Sequence, residues 1–80
     1  MTLPISLAVQ RARRLANLFQ RQLALKLECP RTWISKIETE HAVPTLASLL
    51  RIADALNVEG WKLVKWAEEE QERLVRAEKR

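Results

Sequence analysis

The sequence predicts an all-α fold, a compact bundle of five helices with the last one extended, and three observations carry that expectation. Eighty residues contain one glycine and three prolines. No β-branched run alternates with period two, as a half-buried strand requires. Apolar residues instead recur at three- and four-residue spacing, the signature of amphipathic helices. The length allows one domain over residues 1–80. A domain so small buries only about 60% of the surface its unfolded chain exposes, so the core is thin and dimerisation would support it.

Residues 1–5 read as an irregular N-terminal arm, with Pro4 outside the first helix and Ser6 as its N-cap. That helix runs to about Asn17, a residue that tolerates left-handed backbone. Val9, Ala12 and Ala16 share one face beside Arg13, while Arg11 and Arg14 lie elsewhere on the cylinder and can reach solvent or phosphate. Phe19 cannot supply a capping oxygen and is expected as a hydrophobic staple or core anchor.

Residues 20–38 carry the most information. Leu23, Ala24 and Leu27 hold a helical spacing, Glu28-Cys29-Pro30 interrupts it, and Ile34 and Ile37 restart it three residues apart. Such a pattern is helix, tight turn, helix. In the second helix the apolar pair leaves Arg31, Thr32, Ser35 and Lys36 on other faces, a hydrogen-bonding and mostly cationic front that suits a DNA groove. Pro30 fits the first turn, where a missing N–H costs nothing. Cys29 then lies near the cap, as a buried, inert thiol.

Pro44 ends the next loop, in which His41 is a surface residue able to touch phosphate when protonated. Thr45 can cap a fourth helix through about Leu56. Leu46, Leu49, Leu50, Ile52, Ala53 and Leu56 make it apolar over much of its circumference, so it is expected to be the central core element. Asn57 stops it. Glu59 can cap an extended C-terminal helix over residues 60–79, in which Leu63, Trp66 and Ala67 finish the core. Glu69/Arg73 and Glu72/Arg76 pairs support its polar continuation. Two readings of the tail stand: Leu63, Ala67, Leu74 and Ala77 form a partner-binding stripe anchored by Trp61 or Trp66, or the helix is solvated and frays after about residue 70.

The net charge is +4, and all of the excess lies in residues 1–44, with seven Lys or Arg against three Glu; residues 45–80 hold seven of each sign. A polyanion is the partner this balance suits, with phosphate contacts supplying much of the affinity. One cysteine excludes an internal disulfide and, with one histidine, a structural zinc site, so no metal or cofactor is expected. No apolar run approaches the roughly 20 residues of a membrane span, and the N-terminus lacks a signal-peptide pattern, so a cytoplasmic, nucleoid-associated protein is expected. No nucleophile, base and orienting group stand at motif spacing, which argues against an enzyme.

The ordered residues Leu18-Phe19-Gln20, Leu23-Ala24, Ile34-Ser35-Lys36-Ile37-Glu38, Pro44-Thr45-Leu46, Leu49, Ile52-Ala53, Ala55-Leu56 and Val58 resemble the helix-turn-helix pattern of the Cro and phage-repressor (XRE) class over about residues 9–64. The resemblance implies a lambda-repressor-like DNA-binding domain. It implies further that Arg13 pairs with Glu38, although a solvated arginine is the plain alternative. Gln20 would set register on a phosphate. Arg31, Thr32 and Lys36 would read base edges, with Trp33, Ser35, Arg14 and His41 as backbone or ambiguous contacts. Asn17, Glu28 and the residue near position 40 stand where this class commonly has glycine.

The function implied is a double-stranded DNA-binding transcriptional repressor acting as a homodimer on a pseudo-palindromic operator. An antitoxin that binds both operator and toxin, the latter through its final helix, is the runner-up. A protein-interaction adaptor on the same scaffold is the reading from a different class.

Overall fold

The computed structural model describes residues 3–78, which form five helices and no strand. They are α1 (Ile5–Leu15), α2 (Gln20–Leu27), α3 (Arg31–Glu38), α4 (Leu46–Ala55) and α5 (Gly60–Glu78). The fold is all-α and of helix-turn-helix type. Val9, Leu23, Ile34, Ile37, Ile52 and Leu63, drawn from all five helices, are the largest fully buried side chains. Their burial is what holds helices of 8 to 19 residues, several too short to persist alone, in place.

All four interhelical breaks close in the same way. Asn17, Glu28, Glu40 and Asn57 adopt left-handed backbone at φ 57°, 53°, 65° and 57°. In each case that residue's N–H bonds back three residues and the next N–H bonds back five: Asn17 to Arg14 and Leu18 to Arg13, Glu28 to Leu25 and Cys29 to Ala24, Glu40 to Ile37 and His41 to Lys36, Asn57 to Asp54 and Val58 to Ala53. This double closure satisfies carbonyls that a helix end leaves open. It normally uses glycine, and here never does. The single glycine, Gly60, serves instead where α5 starts close against α4: a Cβ there would stand 2.4 Å from Leu50 Cδ2, the movable end of a half-exposed side chain.

Several details differ from the sequence expectation. Pro4 rather than Ser6 caps α1, through its carbonyl, and Ile5 belongs to the helix rather than to an arm. Ser6 is buried, and its hydroxyl donates to Glu40 Oε1 at 3.1 Å. α1 ends at Leu15. Phe19 is 65% exposed and anchors no core; its N–H is taken by Gln22 Oε1 at 2.7 Å, half of a capping box whose other half a phenyl ring cannot supply. Pro30 is the N-cap of α3, in extended backbone, one position earlier than expected.

α4 is not the central element. Its Leu46 and Leu50 are exposed and only Leu49, Ile52 and Ala53 of the helix are buried. α1 takes that place, packing against both α5 and α3. Thr45 does cap α4, its Oγ1 accepting from the Ser48 N–H at 3.1 Å. The Glu59 carboxylate accepts from the Trp61 indole. α5 stays helical to Glu78, past the point where fraying was one reading; the expected end at Lys79 lies outside the described residues.

Candidate nucleic-acid interface

α3 has a buried back and an exposed front because its residues advance by about 100° each. With Arg31 at zero, Ser35, Thr32 and Lys36 follow at about 40°, 100° and 140°, whereas Ile37, Ile34 and Glu38 fall at about 240°, 300° and 340°. Arg31, Thr32 and Lys36 are exposed, Ser35 is half-buried, and Ile34, Ile37 and Glu38 are buried. The front therefore carries two cations and two hydroxyls, with no carboxylate among them.

The one acid on the buried side organises the site. Arg13 of α1 grips Glu38 with both arms of its guanidinium, Nε to Oε2 at 2.7 Å and Nη2 to Oε1 at 2.9 Å, and its Nη1 donates to the Leu18 carbonyl at 2.8 Å. The two side chains are 12% and 3% exposed, so water screens the pair poorly. The hydrogen bonds to Glu38 raise the Arg13 pKa, with the carboxylate's charge adding to them and burial opposing. That sign means the cation's stabilisation is complete below its unfolded value and lost only as pH climbs past the raised folded one, above any working range. Gln10 of α1 adds a third hold, its Nε2 donating to the Glu38 carbonyl at 2.7 Å.

A chain of contacts continues from Glu38 to the front. Gln20 donates through Nε2 to Glu38 Oε1 at 3.1 Å, and its Oε1 accepts from Arg31 Nη1 at 3.1 Å. Gln20 thus links the buried pair to a front-face cation, keeping one amide hydrogen for an outside partner. Arg21, exposed at the start of α2, lies 5.7 Å over the Phe19 ring and shares a shallow cleft with Gln20 and Arg31.

The remaining sequence candidates divide. His41 is exposed and its Nδ1 stands 2.9 Å from Thr39 Oγ1. The same hydroxyl also bonds the Ser35 carbonyl at 2.7 Å. Arg14 is exposed on α1. Arg11 keeps a side chain 39% exposed but is engaged on α5: its Nη1 pairs with Glu69 Oε1 at 3.0 Å, and its guanidinium lies 5.0 Å over the Trp66 ring, fastening α1 to α5. Trp33 is half-buried and lines a cleft with Leu27, Cys29, Pro30, Ser48 and Arg51. Cys29 is only partly buried. Burial nonetheless pushes its thiol pKa up, against the lowering effect of Arg51.

Gln10, Arg21 and Arg51 were not among the sequence candidates. Gln10 stands one turn before Arg13 and so shares its face, a signal that was legible. Nothing in the local pattern marks Arg51.

A helix with a polar front, backed by a second helix across a tight turn, is the architecture of proteins that place one helix in the major groove of DNA. The helix-turn-helix family model matches residues 9–60, and the chain belongs to that family, of Cro/C1 (XRE) type. It is a helix-turn-helix DNA-binding regulator in that general sense. No curated protein and no solved structure gave a match. Among the described residues no helix is long and apolar enough to cross a membrane.

Proposed function

We propose that this protein is a sequence-specific double-stranded DNA-binding repressor, acting as a homodimer on a pseudo-palindromic operator. The observation that carries the reading is the linked set Arg13–Glu38–Gln20–Arg31, which fixes a cationic side chain on the exposed front of α3 from a buried anchor. A group held in one orientation before binding loses little freedom on binding, which favours discrimination over loose attraction. Arg31 and Lys36 suit guanine O6 and N7, and Thr32 suits a thymine methyl. Gln20 retains a donor for a phosphate. Two-fold symmetry would put two such fronts about one helical turn apart.

Selection of bound sites from a random duplex library is the direct test. Enrichment of an inverted repeat is the expected result, and recovery of random sequence would sink the specificity claim.

An antitoxin remains a second reading because of one surface. Leu3, Ile5, Val43, Pro44, Leu74 and Val75 line a groove of about 660 Å³ between the N-terminal segment, the loop after α3 and the far half of α5. A protein partner seated there would leave the front of α3 open. Co-expression with the product of an adjacent gene, followed by removal of residues 68–80, tests it: a complex that survives the truncation does not use the far half of α5.

A further inference from the structure

The front of α3 has two edges. On one, Arg31 leans on Gln20 of α2, with Arg21 nearby. On the other, about 60° beyond Lys36, Trp33 turns toward α4. A helix seated in a groove about 12 Å wide has a phosphate strand along each side. The first edge has phosphate-seeking groups that the proposed function already uses. On the second edge only Trp33 is an expected contact, and no cation.

The cleft on that second edge is about 430 Å³ and is walled by Leu27, Cys29, Pro30 and Trp33, with Ser48 and Arg51 from α4. Arg51 is exposed and has no ion pair among the described residues; its Nη2 donates to the Leu27 carbonyl at 3.2 Å. That bond uses one of five guanidinium hydrogens and ties the head group to the end of α2, beside the turn into α3. The remaining donors of the fork are uncommitted. Ser48 Oγ accepts from Thr45 Oγ1 at 3.0 Å, which leaves its own hydrogen to give. The Trp33 indole N–H has no hydrogen-bond partner among the described residues. A braced cation, two further donors and flat apolar walls suit a phosphodiester together with its sugar.

We propose that the cleft between Trp33 and Arg51 holds a backbone phosphate of the DNA strand on the far side of α3 from Gln20. The proposal rests on the DNA-binding reading above. With it, α3 is clamped from both sides: Gln20 on one strand and Arg51 on the other. Because Arg51 also braces the carbonyl of Leu27, a load on this phosphate acts at the turn that aims the reading helix.

The test is a salt series with the full chain on its selected operator, using Arg51→Ala and Arg51→Lys, each at a temperature where circular dichroism shows it folded. Each phosphate neutralised contributes about 0.9 to the slope of log affinity against log salt. A two-fold dimer carries one such cleft per half-site, so Arg51→Ala should flatten the slope by about 1.8, a relative affinity loss of roughly sixty-fold at 0.1 M salt against 1 M. Arg51→Lys should restore most of the slope. Loss of the Leu27 brace alone would lower the melting temperature without moving the slope. Single neutral methylphosphonates scanned along each strand supply the second readout. One position in each half-site should weaken the wild type and leave Arg51→Ala unaffected. A wild-type slope in Arg51→Ala, or no such position, overturns the cleft assignment while the DNA-binding reading stands. Absence of salt-dependent duplex binding by the wild type overturns both.

Discussion

Two regions of this molecule use the same chemical pair for different ends. Under α3, Arg13 and Glu38 meet in a bidentate contact with side chains 12% and 3% exposed, joined by Gln10 and Gln20. Along the far half of α5, Arg76 meets Glu72 at 2.7 Å with side chains 77% and 62% exposed. The bonds are as short in the tail as in the core. What differs is water and company. A buried pair costs several kcal/mol to desolvate and is destructive to break, whereas an exposed one contributes about 0–1 kcal/mol. The arginine–glutamate pair near the front is therefore a fixture, and the Arg76–Glu72 pair is an adjustment to a solvated helix.

The largest effect is expected where the comparison is sharpest. Glu38→Ala leaves Arg13 buried without its carboxylate, which should destabilise the fold by about 3–5 kcal/mol. In so small a domain that removes most of the folded population at 37 °C. Chemical denaturation measures it, and a loss below about 1 kcal/mol would place the pair in the class of exposed ion pairs. Ile37→Ala, one residue away in the same buried face, is the apolar control, with an expected loss of about 2–5 kcal/mol.

The next prediction follows the network outward. Arg31→Ala or Lys36→Ala should each weaken the selected operator by about 1–3 kcal/mol and relax preference at one base position per half-site. Gln20→Ala is expected to do two things: lower affinity for all duplexes, and blur selectivity at the position read by Arg31, since it removes that side chain's brace. The double variant Gln20→Ala/Arg31→Ala should then cost less than the sum of the two. Strict additivity, measured by titration against operator and half-site mutants, would mean that Gln20 only holds a phosphate.

Much of this was legible in the sequence, and the failures have physical reasons. The break between α2 and α3, the Thr45 cap and the Asn17 and Asn57 stops are local, and local spacing and side-chain chemistry announce them. Leu46 and Leu50 misled because a helix apolar nearly all round does not say which side meets the core; only the placement of α1 and α5 decides that. The left-handed Glu40 gave no sign of its own, because glutamate is an ordinary helix residue. Gln10 shares the face of Arg13, which helical spacing does announce, but Arg51 acts on a carbonyl 24 residues away, a partner that no periodicity can point to.

The two left-handed glutamates repeat the opening contrast at smaller scale. Glu28 is exposed and its carboxylate makes no bond among the described residues, so Glu28→Gly should relieve left-handed strain and stabilise by about 0.5–1 kcal/mol. Glu40 has the same backbone but also accepts from the buried Ser6 hydroxyl. Glu40→Gly gains the same relief and orphans that donor, which costs about 1 kcal/mol or more, so it should be neutral to destabilising. Matched denaturation curves check this: equal gains from the two variants would show that the Ser6 contact carries no weight.

The smallest effect belongs to the tail. Arg76→Ala deletes a pair that is mostly in water and replaces arginine with the best helix former, so the lost attraction of about 0.3–0.5 kcal/mol is partly offset by propensity. The net change in stability should lie within about 0.5 kcal/mol and shrink further in 0.5 M salt, where charges are screened within a few ångströms. Arg11→Ala is the informative partner to it. Arg11 reaches Glu69 across helices and also covers the Trp66 ring, so part of its contribution is packing and cation–π attraction that screening reduces less. Thermal melts at low and high salt separate the two cases. If salt erases the Arg11→Ala effect as completely as the Arg76→Ala effect, then α5 is fastened to α1 at this point by surface charge alone.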